Sequence, residues 1–237
     1  MMFYGLDSYY LIATGIGLVL SLIASARVKG AFKKYAKVGV ASGMTGAEAA
    51  AAVARAGGAD VTIERHQGFL SDHYDPRSKT LRLSPEVYDG RSISSIAVAA
   101  HEAGHSIQDV EAYAPLGLRS ALVPIANIGS RLWIIPIILG GVISRGASGA
   151  NDGGAMWFQI GIIMFAAVVL FQLVTLPVEF NASKRAKTVL AQTGIVSTRE
   201  EAIGVNKVLD AAAMTYVAAA LTAVLQLLAL IMRARNN

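Results

Sequence analysis

The sequence predicts a mainly α-helical integral membrane protein, with about four transmembrane helices and a small α+β portion outside the bilayer. Apolar residues make up 54% of the 237-residue chain and charged residues only 16%, well below the roughly one-quarter charged share of an ordinary soluble domain. Several uncharged stretches reach the roughly 20 apolar residues needed to cross a hydrocarbon core. The polar remainder is enough for one compact unit, so residues 1–237 are read as a single domain. The chain has no cysteine, which excludes disulfides and thiolate metal sites. Its net charge of +5 is read as topology and attraction to anionic lipid, not as nucleic-acid binding.

The first expected span is 8–26, "SYYLIATGIGLVLSLIASA", without a charge. Residues 153–178 and 211–232 are equally uncharged. Residues 120–144 carry Arg131 near their middle, at a cost of about 3 kcal/mol on insertion scales. They are read as a span, with a short interfacial or re-entrant helix after Arg131 as the alternative. Ala24-Ser25-Ala26 resembles a signal-peptide cleavage site, but the residues before the first span contain Asp7 and no Lys or Arg. An uncleaved anchor is therefore expected. Arg27, Lys29, Lys33, Lys34 and Lys37 follow that span, so the bias of cations toward the inner side puts the N-terminus outside and residues 27–119 in the cytoplasm.

Within 27–119, Thr45-Gly46-Ala47-Glu48 reads as a capping box opening an Ala-rich helix that Gly57 ends. Asp60 to Arg65 reads as a strand, Asp72 to Lys79 as a turn punctuated by Asp75-Pro76, and Thr80 to Ser84 as a second strand. A small sheet packed against helices is expected. Ser92 is the expected N-cap of the next helix.

That helix carries "AVAAHEAGHSIQD", with His101, Glu102 and His105 in the order H-E-x-x-H. Eight Glu and four His make this pattern a chance event in roughly one shuffled chain in several hundred. Positions i and i+4 lie on one helix face, so His101 and His105 can aim two imidazoles at one ion. Glu102, about 100° round, reaches the side where water would sit. A zinc with three protein ligands lowers the pKa of its water to about 7, and Glu102 can serve as general base. Two histidines making ordinary hydrogen bonds are the plainer alternative. For the third ligand, Asp109, Glu111 and Glu179 are all available; Glu179 follows the apolar run "FQLVTLPV" at the head of a polar segment, 179–210.

"AAHEAGHSIQD", "LPVEFNASKRA", "SDHYDPRSKTLRLS" and "AAAMTYVAAAL" together resemble the YugP-like neutral zinc metallopeptidases of bacterial membranes, over nearly the whole chain and in the same order. More distantly, the chain is similar to membrane-embedded heat-shock and prenyl-protein endopeptidases. These carry H-E-x-x-H, a membrane hairpin, and an E-x-x-A-D motif whose Glu is the third zinc ligand. The resemblance implies a zincin-like cytoplasmic portion and zinc held by His101, His105 and Glu179. Ala182 matches the Ala of the distant motif, and Ser183 stands where those relatives have Asp. That departure leaves Asp109 and Asn181 as candidates for orienting a ligand imidazole. Asn181, Lys184, Arg185 and Tyr216 could each face an oxyanion, though Lys184 and Arg185 also suit simple membrane-surface anchors. His66 and His73 read as loop histidines of the sheet region. Thr80 to Ser84 is either an edge strand that pairs with extended substrate or an ordinary core strand.

The expected function is that of a multi-pass zinc endopeptidase of the bacterial inner membrane. Its site faces the cytoplasm, its partners are the lipid bilayer and a protein or peptide substrate, and no nucleic acid is involved. A non-catalytic membrane adaptor with a structural zinc site is the alternative, and Glu102 argues against it because a closed site needs no acid between two ligands. A transporter would repeat ionisable groups within its spans, and only Arg131 does so.

Overall fold

A computed structural model describes residues 8–68, 71–146 and 153–236. Helix α1 (Ser8–Tyr35) is followed by α2 (Gly46–Ala56), strands β1 (Thr62–Arg65), β2 (His73–Asp75) and β3 (Thr80–Leu83), and the short α3 (Pro85–Tyr88). Then come α4 (Ile93–Val110), α5 (Ala114–Leu132), α6 (Ile134–Gly146), α7 (Gly153–Gln192) and α8 (Arg199–Asn236). The chain forms two compact units. One comprises the described residues up to Ile23, Leu118–Leu176 and the chain from Tyr216; the other is Ala24–Gly117 with Pro177–Thr215.

The second unit carries the H-E-x-x-H helix. Its core gathers Phe32 of α1, Ala49, Ala50 and Val53 of α2, Leu81 and Leu83 of β3, Ile96, Ala100 and Ile107 of α4, and Ala186 and Leu190 of α7. Local chemistry sets the element ends. Thr45 accepts from the Glu48 amide while the Glu48 carboxylate accepts from the Thr45 amide, closing the expected capping box. Ser92 caps α4 by accepting from the Ser95 amide. A second reciprocal cap, not foreseen from the sequence, opens α8. The buried Glu201 carboxylate accepts from the amides of Ser197, Thr198 and Ala41, and Thr198 accepts from the Glu201 amide.

The sheet has the order β1-β3-β2, with β3 parallel to β1 and antiparallel to β2. This corrects the turn expected over 72–79 and the loop reading of His73, and it decides between the two readings of Thr80 to Ser84. Residues 73–75 are a strand, because His73, Tyr74 and Asp75 pair with Arg82, Leu81 and Thr80; the turn is confined to the residues after Asp75. There the Asp75 carboxylate accepts from the Arg77 amide and the Ser78 hydroxyl, and Lys79 takes a left-handed φ of 49°. His73 therefore sits on a strand, not in a loop. Thr80–Leu83 is the central strand: paired on both sides, with Leu81 and Leu83 fully buried, it has no edge to offer a substrate. Among the described residues the edges belong to β1 and β2.

The first unit has a sparse core, with Ile137, Phe158, Phe165, Val169 and Leu230 among its buried residues. Three helices, α1, α7 and α8, are long and apolar enough to cross a membrane, and only 17%, 22% and 28% of their most apolar windows are buried. Large side chains such as Leu18 and Ile163 are 60% and 68% exposed. Apolar surface on this scale is stable against lipid and not against water. α7 continues without a break through the expected 178/179 boundary, with Pro177 inside it, and α8 through 210/211. The helix breaks come instead at the turn between Gln192 and Arg199, where Gly194 adopts φ +70°.

The Arg131 segment is two helices, α5 and α6, bent by 41° where they meet. The pair has the length and composition of one broken span or of a re-entrant loop, so three or four crossings are compatible with it. α6 lies close against α7: a Cβ on Gly161 would meet the Ile137 side chain at 2.6 Å, and one on Gly140 the Gly154 carbonyl oxygen at the same distance. Small residues at such contacts let membrane helices approach closely. The connection between α6 and α7 falls on residues 147–152, outside the described residues.

Candidate metal centre

The centre is built where α4 crosses α7. Gly104 lies between the motif histidines, and a Cβ there would come within 2.5 Å of the Ala182 carbonyl oxygen. Glycine at this position lets the α7 backbone lie directly against the motif helix. The crossing brings Glu179, three residues before Ala182, to the two histidines.

Glu179 Oε2 lies 3.1 Å from His101 Nε2 and 3.6 Å from His105 Nε2. The imidazole rings are 4.8 Å apart and nearly perpendicular. Side-chain exposure is 12% at His101, 8% at His105 and 2% at Glu179, so the three face one another out of bulk water. One ligand atom from each lies within 4.8 Å of the others, and this is the only such group of three His, Asp or Glu among the described residues. Glu102 is also buried and close enough to act electrostatically on both His105 and Asp72.

The other ring nitrogens are held from behind. His101 Nδ1 is 3.1 Å from the Ser183 hydroxyl, and His105 Nδ1 is 3.0 Å from Gln108 Oε1. The Gln108 amide nitrogen donates to the Val178 carbonyl at 2.8 Å and to Asn181 Oδ1 at 2.9 Å. Neither Ser183 nor Gln108 was identified as an orienting residue from the sequence, although both signals were in it. Gln108 is at i+3 from His105 and Ser183 at i+4 from Glu179, the spacings that share a helix face. Asp109, one of the two residues considered for orienting a ligand imidazole, instead accepts from the Tyr74 hydroxyl at 2.8 Å. The other, Asn181, meets Gln108 and not an imidazole.

The remaining acids are also accounted for. Glu111 pairs with Arg185 at 2.6 Å, so neither Asp109 nor Glu111 joins the histidines. Arg185 also donates to Asn181 at 2.6 Å and lies 5.9 Å over the Tyr113 ring. Lys184 is exposed, and Tyr216 belongs to the other unit. His66 and His73 meet edge to face at 5.5 Å.

The electrostatics match the geometry. Burial disfavours the charged form of His105, but the nearby Glu179 carboxylate, the charge of Glu102 and its bond to Gln108 outweigh burial and raise its pKa. Asp72 is raised by burial and by the Glu102 charge against the hydrogen bonds it accepts from Ser84. Burial and the Asp109 carboxylate push the Tyr74 phenol up. Glu111 is lowered by Arg185.

Two imidazole nitrogens and one carboxylate oxygen, converging and partly shielded from water, are the donor set of an open three-ligand zinc site. The residues present therefore fit zinc, and the backing of both Nδ1 atoms is the arrangement that leaves Nε2 free to bind a metal.

A profile of the family described as "Putative neutral zinc metallopeptidase" matches residues 10–235. Over 225 residues the chain is 46% identical to "Putative membrane protease YugP" of Bacillus subtilis (strain 168), covering 94% of this chain and 95% of that protein. Over 82 residues it is 38% identical to "Protease HtpX homolog 2" of Saccharolobus solfataricus, 34% of this chain and 23% of that protein. No solved structure matches. A match from residue 10 to residue 235 takes in both units and every residue of the centre, and by it the chain belongs to the family of neutral zinc metallopeptidases.

Proposed function

We propose that the protein is a membrane-embedded, zinc-dependent endopeptidase. His101, His105 and Glu179 would hold the metal, and Glu102 would act as general base. The observation that carries this reading is the convergence of both Nε2 atoms on the Glu179 carboxylate, with Glu102 one residue from the first ligand on the same helix. Zinc, when bound, supplies a Lewis acid that makes a water acidic near neutral pH. Glu102 takes the proton of the attacking water and returns it to the nitrogen of the leaving amine. Ser183 and Gln108 would orient His101 and His105 respectively.

The substrates proposed are membrane proteins or membrane-proximal peptides. The edge strand β2, which packs against α4 through Tyr74 and Asp109, offers backbone pairing to an extended chain. The proposed setting is the bacterial inner membrane, in several passes, with the site on the cytoplasmic side where Arg27, Lys29, Lys33, Lys34 and Lys37 follow the first apolar stretch.

The test pairs metal analysis of the purified full chain with peptide hydrolysis by the wild type and Glu102→Gln. Glu102→Gln should keep its zinc and lose at least ~10²-fold in rate. Glu179→Ala should lose zinc, while Asp109→Ala should retain it. Equal hydrolysis by the Gln variant would overturn the catalytic reading, and a zinc-loaded but inactive wild type would favour the adaptor.

A further inference from the structure

Gln108 is fully buried, and its hydrogen bonds go to His105, the Val178 carbonyl and Asn181, all beside the metal centre. The Val178 carbonyl can only accept, so the amide nitrogen must face it and Oε1 must face His105. An amide oxygen can only accept, so His105 Nδ1 carries the proton. The lone pair of the neutral ring is then on Nε2, the atom turned toward Glu179. At its other end the same side chain grips the main chain at Val178, the residue before Glu179, and meets Asn181 two residues after it. One amide thus reaches a histidine on α4 and the backbone that carries the acid on α7.

We propose that Gln108 is a positioning residue for the metal centre. It fixes the tautomer of His105 and braces the α4 and α7 ligands against each other. The inference rests on the zinc reading above for its consequence, but not for its first half, because the tautomer is a property of the metal-free protein. Gln is suited to the role because it both accepts and donates. A carboxylate would still accept from His105 but would leave the Val178 carbonyl without its donor. An apolar residue of similar size would abandon both, leaving the buried His105 Nδ1–H without its acceptor and the Val178 carbonyl without its side-chain donor, while Asn181 would keep the bond from Arg185.

The experiment uses the full chain in detergent, with ring-15N histidine. The chain has only four histidines, and the His105 signal is assigned against His105→Ala. In the metal-free wild type at alkaline pH, His105 should be in the Nδ1–H form. Gln108→Glu should retain that form, whereas Gln108→Leu, or Gln108→Met if the Leu variant does not fold, should release it to a mixture. Zinc affinity, measured by chelator competition, should fall about 10- to 100-fold in the apolar variant and less in the Glu variant. A role in packing alone would lower thermal stability without changing the tautomer. His105 remaining Nδ1–H in the apolar variant, or zinc affinity there equal to wild type, overturns the proposal. A wild type that binds no zinc defeats the peptidase reading and the bracing of ligands with it, while the tautomer measurement still decides the other half.

Discussion

In the metal-free protein His105 holds its proton more tightly than an ordinary histidine, whose value is 6.5. The sign of this effect reverses when zinc is present. A raised folded-state pKa stabilises the metal-free fold fully below the unfolded value and loses that contribution as pH rises through the folded one. Zinc binds only the deprotonated ring, so its contribution grows as pH rises. Acidification should therefore weaken zinc binding, and a raised His105 pKa makes the proton a stronger competitor than at an ordinary histidine. Zinc retained after dialysis against a weak chelator across a pH series checks this, and flat retention across the series would contradict it. At this scale the motif residues were legible in the sequence, because i and i+4 spacing on a helix fixes where two imidazoles point. Glu179 was legible as an acid directly after an apolar run, and its assignment over Asp109 and Glu111 came from family resemblance. The partners of the imidazoles were less legible. His101 and Ser183 are 82 positions apart, and Gln108 and Asn181 are 73 apart, so their meeting depends on how two helices cross.

The crossing of α4 and α7 turns on one missing methyl group. Gly104→Ala would place a Cβ 2.5 Å from the Ala182 carbonyl oxygen, and backbone cannot rotate away as a side chain can. The helices must separate, which carries Glu179 away from the histidines. The expected result is a loss of about 1–3 kcal/mol in stability together with a marked fall in zinc content. Gly117→Ala, where nothing lies within 4 Å of the added Cβ, is the control and should change neither. Thermal midpoints and metal analysis of the two variants make the comparison; a zinc-replete Gly104→Ala protein would mean that the close approach is dispensable. Helices in this unit were readable from the sequence because their caps are local, as at Thr45 and Ser92. The sheet was less so. Thr80–Leu83 alternates like a half-exposed strand, yet its neighbours on both sides make it central. The three residues of β2 hold a strand only through pairing with β3 and the Tyr74 bond to Asp109. Pairing between strands is tertiary information, which a local pattern does not contain.

For the whole molecule, the three uncharged runs announced their helices plainly, but not the helix ends. α1, α7 and α8 run on past the apolar stretches, because helical hydrogen bonding does not stop where hydrophobicity does. The Arg131 segment stayed ambiguous in sequence and is bent in structure, and topology turns on it. Residues that share one metal must lie on one side of the membrane. His105 precedes the α5–α6 pair and Glu179 follows the apolar part of α7, so the chain between them must cross an even number of times. If that part of α7 crosses once, α5 and α6 must together make the other crossing. Arg131, exposed on α5, should then face water or headgroups and not the lipid tails. Arg233 and Arg235 would end outside, against the usual bias, although Arg233 lies 5.3 Å over the Phe158 ring and so has an aromatic partner. The chain contains no cysteine, so a single cysteine at Ser148 reports the side of the α6–α7 connection without background. On intact cells stripped of any outer barrier, a membrane-impermeant thiol reagent should label it at once. Labelling only after the membrane is opened would put that connection in the cytoplasm and make α5–α6 re-entrant. Glu179 would then lie across the bilayer from His101 and His105, and either its place among the ligands or the crossing by α7 would have to be abandoned.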